Sequence, residues 1–451
     1  MFPPPFIRQM QGLLGDAWPL LEAALQSSPP VSIRFNPSKA VDRVYWPEVS
    51  ASVPWHPDGH YLKQRPVFTL DPMLHAGAYY VQEASSMFVY EALRQHRPEG
   101  PLRVLDLCAA PGGKSTLLAA MLGPDDLLLS NEVIRQRTGP LRENLERWGI
   151  SNLAVANADS EDFTALEGYF DVILTDAPCS GEGLFRKDPD AIKEWSLPNV
   201  ELCAGRQRRI LAAAVQALKP GGLLLYSTCT YNAMEDEDNA HWLQTQFDLQ
   251  ALTIQTPPEW GIEGNGANGY HFYPHKLAGE GFYLAAFRKA AGEIPKRNTP
   301  AHFAKLKALP KAQLAQLPPV FRDSSALNFY LTPTEEIIAL PKHLETDFLI
   351  LDKVLKNKWF GVLAGTFKGR DFIPAHGLAM SLEISAALPA LELSREDALR
   401  FLKKETFDLP SGAANGWTLA RFAGLNLGWM KVLPNRMNNY LPQERRIRME
   451  I

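Results

Sequence analysis

Val104-Leu105-Asp106-Leu107-Cys108-Ala109-Ala110-Pro111-Gly112-Gly113-Lys114 decides the fold of this chain. Apolar residues run up to Asp106, two glycines follow, and Lys114-Ser115-Thr116-Leu117-Leu118-Ala119-Ala120-Met121-Leu122 reads as the start of a helix. A strand feeding a glycine turn and a helix N-terminus is a nucleotide-type binding unit, because free backbone N–H groups gather there. Gly112 and Gly113 would let the backbone approach a ligand with no Cβ in between. Gly113-Lys114-Ser115 is also the end of a Walker A phosphate loop. That loop requires a glycine where this chain has Cys108, and Pro111 adds a turn of its own, so a nucleotide triphosphatase is disfavoured. A strand–helix turn with no ligand is the plainest alternative.

Outward from this loop, apolar strands alternate with helical patterns between about 67 and 289, which predicts an α/β fold with a Rossmann-like, doubly wound parallel sheet. Strands are expected at 103–108, 126–131, 153–157, 171–175, 222–228 and 282–287, and helices at 114–122, 134–148, 199–218 and 235–246. In the last helix, Glu235-Asp236-Glu237-Asp238 are placed in the first turn, where the macrodipole favours carboxylates. In such sheets an acid about 20 residues beyond the glycine turn, ending the next strand, binds ribose hydroxyls. Glu132, after Leu127-Leu128-Leu129-Ser130-Asn131, holds that place; its plainer role is a solvated glutamate at a helix start. Asp159, after Leu153-Ala154-Val155-Ala156-Asn157, would accept from an adenine amino group, or be a turn aspartate.

Two further strand ends carry cysteines. Asp176-Ala177-Pro178-Cys179-Ser180-Gly181 follows Asp171-Val172-Ile173-Leu174, and Tyr226-Ser227-Thr228-Cys229-Thr230 follows Gly221-Gly222-Leu223-Leu224-Leu225. Taken singly, a cysteine is more often a small buried hydrophobe. Two thiols facing the crevice of a cofactor loop instead point to covalent catalysis on an electrophilic carbon. If the target is cytosine, as the family resemblance carried by these motifs implies, a thiolate added at C6 makes C5 enamine-like, and the C5 proton must later leave so that the thiol can be eliminated. Such a scheme needs a nucleophile, a group on the N3 edge and a base near C5. Asp176 is placed for N3. Lys114 would raise the thiolate fraction of a nearby cysteine, or simply meet solvent or phosphate. Sequence leaves the order of the two thiols open, since DNA cytosine methyltransferases attack with a Pro-Cys cysteine like Pro178-Cys179. Amino-group methyltransferases typically carry Asn/Asp-Pro-Pro-aromatic where this chain has Asp176-Ala177-Pro178-Cys179, which disfavours that class.

The runs DLCAAPGGK, SNE, DAPCSGEG and STCT resemble the motifs of the RNA cytosine-5 methyltransferases of the NOL1/NOP2/Sun family. Phe68 to Met87 (FTLDPMLHAGAYYVQEASSM) is similar to the segment that opens that family's catalytic domain; Gln82 and Glu83 match it without an evident role. Gly424-Leu425-Asn426-Leu427-Gly428-Trp429 and Asn439-Tyr440-Leu441-Pro442 resemble the PUA-like domain of a bacterial subgroup acting on small-subunit ribosomal RNA. The resemblance implies an S-adenosyl-L-methionine-dependent core with a small N-terminal α/β lobe and C-terminal α+β, PUA-like RNA-binding units. It implies Cys229 as the attacking thiol and Cys179 as the group that assists proton removal and release, with Asp176 and Lys114 beside them. The cofactor would lie on Cys108, Ala109, Ala110, Pro111, Gly112, Gly113, Lys114, Glu132, Arg137, Asp159 and Asp176, Arg137 being otherwise an exposed helix arginine. The implied substrate is RNA, 16S rRNA or the small ribosomal subunit, with tRNA as the alternative. A non-catalytic RNA-binding assembly factor is the competing class, and a pure binder needs neither thiol.

Composition bounds the rest. The chain has 451 residues, 46% of them hydrophobic, which suits several domains with a sizeable core. Four cysteines (Cys108, Cys179, Cys203, Cys229) form no metal-spaced cluster, so no metal and no disulfide framework are expected. Met1-Phe2-Pro3-Pro4-Pro5 lacks the charge and apolar core of a signal peptide, and no apolar run suits a membrane span, so the expected location is cytoplasmic and the expected unit a monomer. A net charge of −4 does not announce a nucleic-acid binder, so RNA contacts must be local. Arg288, Lys289, Lys296, Arg297, Lys305, Lys307 and Lys311 against Glu293 alone, and a positive excess over 401–451, are candidate phosphate contacts, or merely a solvated linker and tail. Trp359, Phe360, Trp417 and Trp429 are candidate base-stacking residues, though such aromatics are more often core. The expected division is an N-terminal RNA-binding lobe (1–66), a catalytic domain (67–289), a linker (290–305), a first C-terminal domain (306–392) and a PUA-like domain (393–451). On that division, removing 300–451 would weaken RNA binding and spare the cofactor site.

Overall fold

The computed structural model describes residues 2–39, 48–409, 415–434 and 436–450, so small parts of the expected N-terminal lobe and PUA-like unit lie outside the described residues. Its centre is a ten-stranded sheet. The strands are β1 (Arg103–Asp106), β2 (Leu127–Asn131), β3 (Leu153–Ala156), β4 (Phe170–Asp176), β5 (Leu218–Thr228), β6 (Leu249–Ala251), β7 (Glu263–Asn265), β8 (Gly269–Phe272), β9 (Phe282–Lys289) and β10 (Lys358–Phe360). Their order is β7-β8-β9-β5-β4-β1-β2-β3-β10, with β6 on the end of β9. β3, β2, β1, β4 and β5 run parallel, and β9 is antiparallel to β5. The parallel strands are unbroken apolar runs because both faces are covered.

Helices α1 (Gly113–Met121), α2 (Arg135–Trp148), α3 (Leu197–Ala217) and α4 (Glu237–Gln246) supply the covers. α2 buries Thr138, Leu141, Leu145 and Trp148, one stripe at helical spacing, and stops at Gly149 in the left-handed region (φ 101°). A Cβ on Gly149 would meet the Met380 carbonyl oxygen at 2.7 Å, so the C-terminal region packs directly on this helix end. α4 begins at Glu237, two residues later than expected: Glu235 and Asp236 are fully buried rather than exposed in a first turn.

The N-terminal lobe is a four-stranded sheet in the order Val49–Ser52, Gly59–Leu62, Val31–Phe35, Tyr79–Val81. Its last strand comes from the stretch expected to open the catalytic unit. The helices Pro4–Leu14 and Trp18–Leu25 bury Phe6, Met10 and Trp18 against Phe185, Trp195 and Tyr231 of the central unit. Between 290 and 305 there is neither helix nor strand. An antiparallel five-stranded sheet then spans Lys307–Ala308 to Asp371–Pro374, and a four-stranded one spans Ala390–Glu392 to Arg436–Asn439. Phe360 and Trp429 are core residues, whereas Trp359 is exposed and Trp417 stands half-buried against Tyr440. No helix among the described residues is long and apolar enough to cross a membrane.

Candidate active site

The cofactor loop leaves β1 at Asp106, which is fully buried; Ser115 donates to its Oδ2 at 2.6 Å and its Oδ1 has no partner. Burial pushes this carboxyl up to about 7. The loop is tied down by its backbone. Ala109 N–H donates to the Asn131 carbonyl, Arg137 Nη2 to the Ala110 carbonyl at 2.7 Å, and Asn144 to the Pro111 carbonyl at 2.8 Å. Gly112 sits at φ 114°, where a side chain would be strained, and a Cβ there would press on Leu141 and Asn144 of α2. A Cβ on Gly113 would press on Tyr80. The positive φ at Gly112 is thus what calls for glycine there, while the contacts around both positions are close to ordinary van der Waals distance.

Glu132 ends β2, 3% exposed, accepting from Ile134 N–H at 2.8 Å and lying 3.4 Å from Arg137 Nη1. Val133 and Ile134 beside it are exposed apolar groups. Asn131 holds the neighbouring loops together, donating to the carbonyls of Leu107 and Ala158 and accepting from Ala158 N–H. Asp159 follows at once, but its carboxylate takes Arg209 at 2.8 Å and Glu161 N–H at 3.0 Å, and stands 40% exposed. The Arg209 hydrogen bond holds it below its ordinary value.

Cys108 lies within electrostatic reach of Asp106, Asp176 and Glu132; burial first, then these carboxylates, raise its thiol. Asp176 and Glu132 pair with Lys114 and Arg137, so the cations beside this loop are already engaged rather than open to a polyphosphate. Lys114, which a phosphate loop would aim at its ligand, is instead paired with Asp176 Oδ2 at 2.8 Å. Burial opposes its charge, but Asp176 outweighs burial and the ammonium is held above its usual range. The residues present fit S-adenosylmethionine: an acceptor for ribose hydroxyls in Glu132, apolar cover in Val133 and Ile134, and carboxylates near a sulfonium.

The two thiols meet. Cys179 Sγ and Cys229 Sγ lie 2.9 Å apart, both unbridged, and Cys229 N–H points at Cys179 Sγ at 3.3 Å. The hydrogen bond with Cys229 and then burial raise the Cys179 thiol well above its ordinary value. Asp176 lies one loop away, its Oδ1 taking the Ser227 hydroxyl at 2.8 Å.

Below the thiols lies a polar layer the sequence did not reveal. Glu182, from the Ser180-Gly181-Glu182 turn, is fully buried and accepts from Thr230, Tyr231 N–H, Trp195 Nε1, Asn232 and Gln9. Glu235 accepts from Ser180 N–H, Gln207 and Asn232. Each carboxylate thus bridges the Cys179 loop to the Cys229 loop. Their only signal was an acid three residues after Cys179 and an acidic run that begins six residues after Cys229. The N-terminal lobe also reaches the site. Arg34, 0% exposed, donates to Gln82 at 2.8 Å and Thr116 at 2.6 Å, which gives Gln82 its role, while Glu83 takes the backbone of Ser85, Ser86 and Glu280.

The basic stretch is less available than its composition suggested. Arg288, Lys289 and Arg297 are committed to backbone carbonyls, leaving Lys296, Lys305, Lys307 and Lys311 exposed.

Comparison with known proteins agrees with this geometry. Residues 94–288 match the family model of 16S rRNA methyltransferase RsmB/F, 2–84 the N-terminal domain of 16S rRNA methyltransferase RsmF, and 388–447 the methyltransferase RsmF PUA domain. The ribosomal RNA small subunit methyltransferase F of Erwinia tasmaniensis is 32% identical over 98% of this chain and 96% of its own length. That of Shewanella amazonensis is 34% identical over 82% and 80%. Among solved structures, a methyltransferase homologue from Pyrococcus horikoshii is 30% identical, with a TM-score of 0.54 over 64% of this chain and 95% of that one. With a relative of this identity spanning nearly the whole sequence, and family models matching its N-terminal, catalytic and PUA segments, the chain belongs to the RsmF group of the RsmB/F methyltransferase family.

Proposed function

We propose that this protein transfers a methyl group to C5 of cytidine in RNA, with 16S small-subunit rRNA as substrate and the cytoplasm as its place of action. The observation that carries the reading is the pair of thiols 2.9 Å apart, one loop from the Lys114–Asp176 pair. The 108–114 loop with Glu132, Arg137, Asp159 and Asp176 would hold S-adenosylmethionine, which would supply an electrophilic methyl group there. Cys229 attacks C6 of a cytosine that has left its stack. Asp176 acts on the N3 edge as a protonated carboxyl, donating to N3 where negative charge develops as the thiolate adds, and Lys114, 2.8 Å from it, orients that carboxyl. After methyl transfer Cys179, held as a thiol in the resting site and ionised for this step, takes the C5 proton; the C5–H electrons re-form the C5=C6 bond and the Cys229–C6 bond breaks with its pair returning to sulfur.

This division of labour predicts different fates for the two variants on a denaturing gel. Cys229→Ala should give neither methylation nor a covalent RNA band. Cys179→Ala should attack and transfer methyl but stall before elimination, leaving a protein–RNA thioether that survives denaturation. An adduct in Cys229→Ala and none in Cys179→Ala would reverse the roles, and full activity in both single variants would end the covalent reading.

A further inference from the structure

A cavity of about 370 Å³ lies between the outer edge of the central sheet and the C-terminal region, walled by α2, β3 and β10. That volume is in the range of small-ligand sites. Trp359 stands in its wall 38% exposed, with the Arg142 guanidinium over the indole at 5.6 Å from the ring centroid. Lys305 and Lys356 join the lining, both exposed.

Charge within the lining leans positive once its ion pairs are set aside. Glu146 is paired with Arg445, and Asp352 with Lys358 at 2.9 Å. Glu336 takes the Thr334 hydroxyl. Among the described residues, Arg142, Lys305 and Lys356 have no carboxylate partner. An indole face beside three cations without carboxylate partners, against the single unpaired carboxylate of Glu336, matches a ligand that is flat, aromatic and anionic.

We propose that this cavity binds one unpaired nucleotide of the RNA substrate, its base stacked on Trp359 and its phosphates met by Lys305 and Lys356. The proposal rests on the RNA reading above. β10 lies five strands from β5, roughly 24 Å at ordinary strand spacing. The nucleotide held here is therefore not the cytidine at Cys229 but a second point of attachment that fixes the direction of the strand.

The test measures affinity of the full chain for a 16S rRNA transcript, with S-adenosylmethionine affinity and the unfolding temperature as controls. Trp359→Ala should weaken RNA binding roughly 5- to 100-fold, the range of a lost base–aromatic stack, and Trp359→Phe should restore most of it. Lys305→Gln with Lys356→Gln, both on the surface, should weaken binding and flatten its salt dependence while leaving the controls unchanged. Wild-type RNA affinity in both the Trp359→Ala and the double-lysine proteins would overturn the site while leaving the methyltransferase reading intact. A wild-type protein that binds no RNA would overturn both.

Discussion

Asp106 shows how one buried carboxyl sets a condition on the site. Its Oδ1 has no partner, and burial raises its folded-state value to about 7 from an unfolded value near 3.8. Between those values the folded state binds more protons than the unfolded chain, so stability falls as pH rises through this window. The destabilisation is absent below the unfolded value and complete above the folded one. Asp106→Asn keeps an acceptor for Ser115 and removes the charge. Its denaturation midpoint should gain on the wild type as pH rises from 5 to 8, by a few kcal/mol at the upper end. Parallel pH profiles for the two proteins would show that Asp106 stays ionised throughout. The thiols and the acid of the neighbouring Asp-Ala-Pro-Cys loop were legible in sequence because strand ends and short motifs are local features. The orphaned Oδ1 was not, since burial on two sides is made by α1 and the adjoining strands together.

At the scale of elements, the Cys179 and Cys229 loops are held by shared acceptors rather than by their own turns. Gly183 N–H donates to the Cys229 carbonyl at 2.9 Å, Glu182 on the Cys179 side takes Thr230 and Tyr231 N–H from the other loop, and Glu235 takes both Ser180 N–H and Asn232. Glu182→Ala would leave the Thr230 hydroxyl, Tyr231 N–H and the Trp195 indole without acceptors in a dry interior. We expect a loss of about 3–5 kcal/mol in urea unfolding, as for a broken buried charge network, and loss of the covalent adduct even under conditions where the variant is folded. A folded variant with normal adduct formation would reduce Glu182 to a stabilising group with no part in positioning the thiols. Sequence pattern placed every strand that carries the site, because unbroken apolar runs identify buried parallel strands. It placed Glu235 and Asp236 in the first turn of the helix, two residues too early, because helix periodicity alone cannot show that a loop from β4 folds over them. It likewise took Arg288, Lys289 and Arg297 for free cations; composition records charge, and only folding reveals which backbone carbonyls capture it.

For the whole molecule, the decisive fact is where the apolar clusters cross the expected boundaries. Leu344, Phe348, Leu351 and Phe360, from beyond the linker, share one cluster with Leu105, Ile173 and Leu224 of the central sheet. β10 pairs with β3 from Lys358↔Ala156 to Phe360↔Ala154. The last unit packs Leu399, Phe401 and Met430 with Ile33, Met73 and Tyr79 of the N-terminal lobe. A strand donated from some 200 residues away leaves no local trace in sequence, so a linker at 290–305 reads as the edge of a separable module. The expectation that residues 300–451 can be removed without harm to the cofactor site therefore fails on physical grounds. Cutting there exposes side chains each worth about 1.5–3 kcal/mol of burial and leaves β3 as an open edge. The chain 1–299 should aggregate or unfold without a cooperative transition, while the full chain melts its central sheet and the 345–360 segment together. Hydrogen exchange checks the second half directly: amides of β10 and β3 should share one protection class. If the truncated chain instead melts sharply at the full-length temperature and binds S-adenosylmethionine normally, the shared cluster contributes little and the C-terminal units are modules after all.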